Sequence, residues 1–341
     1  MKTRLLTLLS LLSLAWPVWS GVNTLLPVPK QITLTQNEDA PLVLTGYLQC
    51  PAQPSERIQL ALLDLLGQTL TTAGGNPRLE ITTGVTIAGA CDYELADFPS
   101  EAYRLTVEEG GIRIEAETEA GVIRAVQTLA QLAEGDSSGD EGGRMVPCSI
   151  VDWPAFKLRG WMHDVGRSFI SVDELKREIR LLGRFKVNVF HWHPTENQAW
   201  RFEVKRFPQL TAASSMTRFA GKYYTQEDCR EVVRLAARYG IQVIPEIDMP
   251  GHSQAFERAM GHSMQTDQGM EELKQILDEV CDVFSDAPYI HIGADEQRIT
   301  YPNFLKTITA YLHDLGKRVV VWNPISGVTI TAQTGADMTQ M

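Results

Sequence analysis

Tyr289-Ile-His-Ile-Gly-Ala-Asp-Glu296 is a short apolar run that stops at two adjacent carboxylates. It is too short for a typical helix, and an apolar run bounded in this way reads as a strand buried in a parallel sheet. Neighbouring residues of a strand point to opposite faces. Asp295 and Glu296 therefore share one cleft only if the chain turns or bulges where they stand.

The same pattern recurs on both sides of this stretch. Phe156 to Asp164, Val187 to His193, Ile241 to Asp248 and Arg318 to Asn323 are also read as strands, with Tyr289 to Glu296 as the fourth of five. Helical segments separate them. Ser171-Val-Asp-Glu174 is a capping box before Leu175, Ile179 and Leu182, and Thr225-Gln-Glu-Asp228 opens a helix that Gly240 stops. Gly269 to Phe284 and Asn303 to Leu315 complete the set. Regular strand–helix alternation predicts a parallel sheet with helices outside it. The fold expected is a TIM-type (β/α)8 barrel of which about five βα units are present. The stretch after Asn323 shows no strand pattern, so three units are expected to be missing and the chain is expected to be truncated.

Every one of these strands is apolar in its body and loaded at its far end. The ends carry His163-Asp164, His191-Trp-His193 running into Glu196-Asn197, Glu246 and Asp248 with His252, Asp295-Glu296, and Trp322-Asn323. Barrel enzymes place their chemistry at that one face. Solvated charges would instead be spread over helix surfaces.

Residues 21–148 read as a small α+β domain. Tyr103 to Val107 and Ile112 to Ala116 alternate on either side of Glu109-Gly-Gly111, a hairpin signal, and Gly135 to Gly143 has the composition of a loop. Nothing there looks catalytic, and the region is read as a packing domain ahead of a catalytic barrel at 149–341. Residues 1–20 are basic, then apolar, then end Val-Trp-Ser, which predicts a secretory signal peptide, export to the periplasm or medium, and no membrane anchor. A net charge of -11 argues against a nucleic-acid partner. The five cysteines are odd in number and dispersed, which is no disulfide framework, although Cys50 and Cys91 could pair. Cys229 and Cys281 fit small core residues.

A cleft with carboxylates, an arginine and Trp161, Trp192, Trp200 and Trp322 suits sugars, whose apolar ring faces stack on indoles. Glycoside hydrolysis needs an acid for the leaving oxygen and a group that stabilises an oxocarbenium-like centre. The blocks Arg159-Gly-Trp-Met-His-Asp-Val-Gly-Arg167, Asn188-Val-Phe-His-Trp-His193 with Thr195-Glu-Asn-Gln198, Tyr223-Tyr-Thr-Gln-Glu-Asp228, Pro245-Glu-Ile-Asp-Met-Pro-Gly-His252 and His291-Ile-Gly-Ala-Asp-Glu296 resemble the family 20 β-N-acetylhexosaminidases of exported bacterial type. The resemblance implies substrate-assisted, retaining hydrolysis of terminal N-acetylglucosamine or N-acetylgalactosamine on glycans, without a metal or other cofactor. In that scheme Glu296 is the acid and later the base, and Asp295 orients the acetamido group. His252 and Glu196 form a relay behind the acid. Arg159, Asp248, Trp322 and His193 match substrate-binding positions, with Trp322 a wall of the acetamido pocket. Glu196 stands where Asp is common, Asn197 replaces a frequent second acid, Pro194 stands for Leu, and Ala294 stands where Gly is frequent.

Two other readings fit parts of the sequence. A truncated barrel could bind sugar without turning it over, and His191-x-His193 could serve a metal-dependent hydrolase. Glu246 can brace the barrel mouth without touching substrate, His191 fits a core histidine bonded to a carboxylate, and Asp164 can hold Arg159 or Arg167. The oligomeric state, a homo-oligomer included, is left open.

Overall fold

The computed structural model describes residues 22–35, 41–74, 77–88, 98–134, 143–323 and 334–340. The leader expected at 1–20, Cys91 of the Cys50–Cys91 pairing, and most of the 135–143 loop lie outside the described residues.

The N-terminal unit is a seven-stranded sheet with strands numbered along the chain. Its spatial order is β1 (Gln31–Leu34), β9 (Cys148–Asp152), β6 (Tyr103–Glu108), β7 (Gly111–Ala116), β5 (Arg78–Thr82), β3 (Tyr47–Gln49), β4 (Thr69–Thr71). A short pair, β2 (Leu42–Val43) with β8 (Arg144–Met145), stands beside it. The expected hairpin is β6–β7, closed at Glu108 opposite Gly111. Helices α1 (Glu56–Leu66) and α2 (Glu119–Glu134) pack on the sheet through Leu62, Val122, Val126 and Leu129, all in the core that also holds Leu79, Leu105 and Ile114. α2 is also buried on its other side, where Arg124 donates to the carbonyls of Tyr239 and Gly240 in the second unit.

That second unit is β10 (Gly160–Asp164), α3 (Val172–Arg184), β11 (Val189–His193), α4 (Gln226–Arg238), β12 (Gln242–Pro245), α5 (Gln254–Met260), α6 (Asp267–Val283), β13 (Tyr289–His291), α7 (Phe304–Asp314), β14 (Arg318–Trp322) and β15 (Met338–Gln340). β10-β11-β12 and β13-β14-β15 are each parallel and in sequence order, and a parallel bridge from Glu246 to His291 joins the two triplets. The result is a partial (β/α) barrel. The predicted capping box forms between Ser171 and Glu174, and the helix start read at Thr225 proves to be a second one, with Asp228.

Two expectations are corrected. The stretch after Asn323 does contain a strand: Met338, Thr339 and Gln340 pair with Val320, Val321 and Trp322. Short, half-exposed and partly polar, β15 has no hydrophobic alternation to read, and its backbone pairing to β14 decides it. The fourth strand, for its part, stops at His291 and not at Glu296.

Side-chain parity sorts the barrel strands. Phe190, Trp192, Val243, Ile290, Val319 and Val321 lie in the large core shared with the helices. The alternate residues face the barrel interior. At its floor Val189, Ile244, Tyr289 and Val320 pack together under Phe98 from the N-terminal unit. One layer higher on the same strands come His191, Glu246, His291 and Trp322. Trp192 and Trp200 are therefore core residues and not sugar platforms, each 1% exposed. Trp161 pairs in register with Phe190, hence faces outward, and its indole donates to Glu178 of α3.

Candidate active site

The chain brings both acids to one place by leaving the strand early. Gly293 and Ala294 have φ of 65° and 76°, and Glu296 has φ of 54°. A left-handed turn of this kind breaks the alternation that would send Asp295 and Glu296 to opposite faces. The sheet still holds its base, since Ile292 N–H donates to the Val320 carbonyl and Trp322 N–H to that of Gly293 (both 2.9 Å). Glycine is required at 293: a Cβ there would lie 1.8 Å from Asp248 Oδ1.

Both acids then face one histidine. His252 Nε2 is 3.5 Å from Glu296 Oε2 and 3.7 Å from Asp295 Oδ2. Its other nitrogen, Nδ1, is 2.6 Å from Glu196 Oε1. Glu196 is buried, and its carboxylate also meets the Asn197 N–H and the Arg167 guanidinium. The bond to Glu196 raises the His252 pKa against the opposing effect of burial, with the charges of Glu196 and Asp295 adding to it. Burial raises the Asp295 pKa too, opposed by His252 and reinforced by Glu246 and Glu296. Glu296 is exposed and free to meet a ligand, its side chain 78% accessible.

Arg159 is not part of this constellation. Its Nε donates to the Lys186 carbonyl at 2.9 Å, Nη1 to the Phe156 carbonyl at 2.6 Å, and Nη2 pairs with Glu101. It precedes β10 and so stands at the opposite end of the barrel, in the ionic seam with the N-terminal unit. The arginine at the mouth is Arg167. Its Nη1 lies 2.5 Å from Asp164 Oδ2, its backbone N–H donates to Asp164 Oδ1 at 2.9 Å, and its Nη2 reaches Glu196 and lies 3.3 Å from His252 Nδ1. Of the two arginines flanking that strand, only the one at its carboxyl end can reach the chemistry, and strand direction is the signal that distinguishes them.

Beneath the acids the interior is polar and buried. Glu246 receives His191 Nε2 at 2.6 Å and Trp322 Nε1 at 3.0 Å, and His193 Nδ1 lies 2.9 Å away. Against the cost of burial, the charge of His291 first, then that of His193 and the bonds from His191 and His193, hold the Glu246 carboxyl well below the usual range. Burial would lower the His193 pKa, but the Glu246 and Asp248 carboxylates push it up to about 9. Asp248 is raised chiefly by burial and then by Glu246. Its Oδ1 accepts from the Ala294 N–H at 3.4 Å, and its ligand atoms lie within 4.8 Å of those of His252 and Asp295. His193 and Asp248, expected at the substrate, lie buried beneath the acids, 3% and 1% exposed. Trp322 is only partly buried and edges the mouth. One ring nitrogen each of His191 and His193 faces Glu246, and ligand atoms of His191, Glu246 and His291, and of His193, Glu246 and Asp248, lie within 4.8 Å of one another.

Comparison with known proteins gives a consistent picture. Residues 156–272 match the family model described as glycosyl hydrolase family 20, catalytic domain, and residues 23–153 match glycosyl hydrolase family 20, domain 2. A β-N-acetylhexosaminidase of Cellulomonas fimi is 33% identical over 90% of this chain and 67% of its own length. A β-hexosaminidase of Porphyromonas gingivalis is 32% identical over 89% of this chain and 46% of its own. The crystal structure of a family 20 exo-β-N-acetylglucosaminidase from Vibrio harveyi in complex with N-acetylglucosamine superposes with a TM-score of 0.72 at 28% identity, covering 87% of this chain and 54% of that one. The chain thus spans about half to two-thirds of the length of these relatives.

Proposed function

The chain belongs to glycosyl hydrolase family 20, and on that premise we propose that it works as an exo-acting β-N-acetylhexosaminidase on glycans ending in N-acetylglucosamine or N-acetylgalactosamine. The observation that carries this reading is the Glu196–His252 pair facing Asp295 and Glu296 at the carboxyl ends of the strands. Adjacent acids suit a reaction in which only one of them has to reach the glycosidic oxygen.

In the proposed mechanism the substrate's acetamido oxygen attacks the anomeric carbon. Glu296 gives its proton to the departing glycosidic oxygen, and the C–O bond to the leaving alcohol breaks. Asp295 accepts from the acetamido N–H and stabilises the positive charge of the resulting oxazolinium ion. Glu296, now a carboxylate, takes a proton from water as that water opens the ring with retention. His252 faces both carboxylates and is itself held by Glu196, which Arg167 holds in turn. Trp322 would flank the acetamido methyl. The leader-like residues 1–20 support export to the periplasm or medium, where such glycans are met.

The test is release of p-nitrophenol from the aryl β-N-acetylglucosaminide by the purified chain and by its Glu296→Gln variant. Activity in the parent and its loss in the variant is the expected result. Equal activity in both would remove Glu296 from the chemistry. Sugar binding without turnover in either would favour the reading of a binding barrel.

A further inference from the structure

Glu246 is a buried charge that the proposed chemistry does not use. It is 0% exposed, and ring nitrogens from three strands converge on its two oxygens. Oε2 has His191 Nε2 at 2.6 Å and His193 Nδ1 at 2.9 Å, both from β11. Oε1 has Trp322 Nε1 of β14 at 3.0 Å and His291 Nδ1 of β13 at 3.3 Å.

Packing does not require a carboxylate at this height. The layer directly below fills the same barrel with Val189, Ile244, Tyr289 and Val320. A carboxylate in a closed interior is costly unless donors satisfy it, and an apolar side chain would fill the space at lower cost. What Glu246 adds is direction. Its Oε1 accepts from the Trp322 indole, whose ring otherwise rests tilted against His191 and His291 with centroids 5.5 and 5.0 Å away. Its Oε2 faces His193, whose Nε2 lies 4.0 Å from Asp248 Oδ2. Asp248 Oδ1 in turn holds the N–H of Ala294, the residue before Asp295.

We propose that Glu246 is the positioning residue of the acetamido pocket, tying the Trp322 wall to the His193–Asp248 support of Asp295 so that the two sides of the pocket keep one spacing. This rests on the reading of the cleft as an N-acetylhexosamine site. Selectivity for the N-acetyl group then depends on a residue that never touches the sugar. One carboxylate oxygen serves the wall and the other serves the acid.

The experiment compares the full chain with its Glu246→Gln and Trp322→Phe variants and the double variant. N-acetylglucosamine and glucosamine are titrated against each while protein resonances are followed by NMR, including the Trp322 indole N–H. Near-UV circular dichroism monitors the native packing. The expected preference for the acetylated sugar falls about tenfold in either single variant, the scale of one charge-assisted hydrogen bond, and the double variant loses less than the product of the singles. The Trp322 indole proton moves upfield in Glu246→Gln. Natively packed Glu246→Gln with undiminished preference would overturn the proposal, as would single losses that multiply in the double variant. If Glu246→Gln fails to fold, Trp322→Phe decides: unchanged preference there overturns the idea. Should the parent chain show no preference for the acetylated sugar, the proposed function fails. The tie itself then stands or falls on the indole resonance, and an unmoved signal in Glu246→Gln rejects it.

Discussion

Replacing Gly293 by alanine should damage the site through a carboxylate 45 positions away in sequence. Two costs combine. An L-residue at φ 65° pays about 1–2 kcal/mol for the left-handed conformation. The new methyl would also lie 1.8 Å from Asp248 Oδ1 and 2.4 Å from its Cγ, so the side chain has to leave. Asp248 is 1% exposed and bound to the Ala294 N–H, and dislodging it strands buried polar groups at about 1–3 kcal/mol. Reduced freedom of the unfolded chain returns about 0.4–1 kcal/mol. The net expectation is a loss of roughly 3 kcal/mol in urea unfolding. In an Asp248→Ala background the two carboxylate contacts disappear, leaving the backbone cost and a 3.0 Å approach to the Cα of residue 248, so the same substitution should cost about 2 kcal/mol less there. A double-mutant cycle with no coupling, or a Gly293→Ala loss under about 1 kcal/mol, would refute the argument that Asp248 is what requires glycine here.

Two further outcomes follow from the geometry. His193 is held protonated, with a pKa near 9 in the fold, so its contribution is fully present below the unfolded value of about 6.5 and is lost as pH rises through 9. The stability gap between the parent and His193→Gln should therefore shrink by roughly 3 kcal/mol between pH 6 and pH 10, and a gap independent of pH would show that the imidazolium is not the species present. Arg159→Met should cost about 2 kcal/mol by removing the donor to Glu101 Oε2 and to the Lys186 and Phe156 carbonyls, with Arg124 still bound to Glu101 Oε1, while sugar titrations stay at parent affinity. Weakened sugar binding with unchanged stability would return Arg159 to the cleft.

Much of the site was legible because its signals are local. Asp295 and Glu296 stand out as carboxylates ending an apolar run, and His252 and Glu196 belong to ordered motifs at other strand ends. Helix starts at Ser171 and Thr225 need only four residues to be read, and both form. Arg159 was misplaced because a motif carries residue types in order without saying which end of its strand each one occupies. Gly160 pairs with Val189 and Asp164 with His193, and that register separates the floor from the mouth. Arg201 gave no signal at all. It is fully buried, with its guanidinium donating to the carbonyls of Val165, Gly166, Arg218 and Lys222, and it fastens the loop that carries Arg167. Backbone acceptors leave no trace in side-chain spelling.

The sequence by itself determined that apolar strands alternate with amphipathic helices and that reactive side chains sit at the strand ends. Hydrophobic period, caps and stop signals act over a few residues, so the chain spells them out. Tertiary structure alone decided which of those side chains meet. His191 and Glu246 are 55 positions apart and Trp322 lies 76 from Glu246, yet all three share one carboxylate. The left-handed turn at Gly293 and Ala294 likewise depends on where Asp248 lies, three residues past the end of the neighbouring strand. Such contacts are set by the side-by-side pairing of β11 to β14, which brings distant residues within hydrogen-bond reach, and no local period encodes a distance between strands.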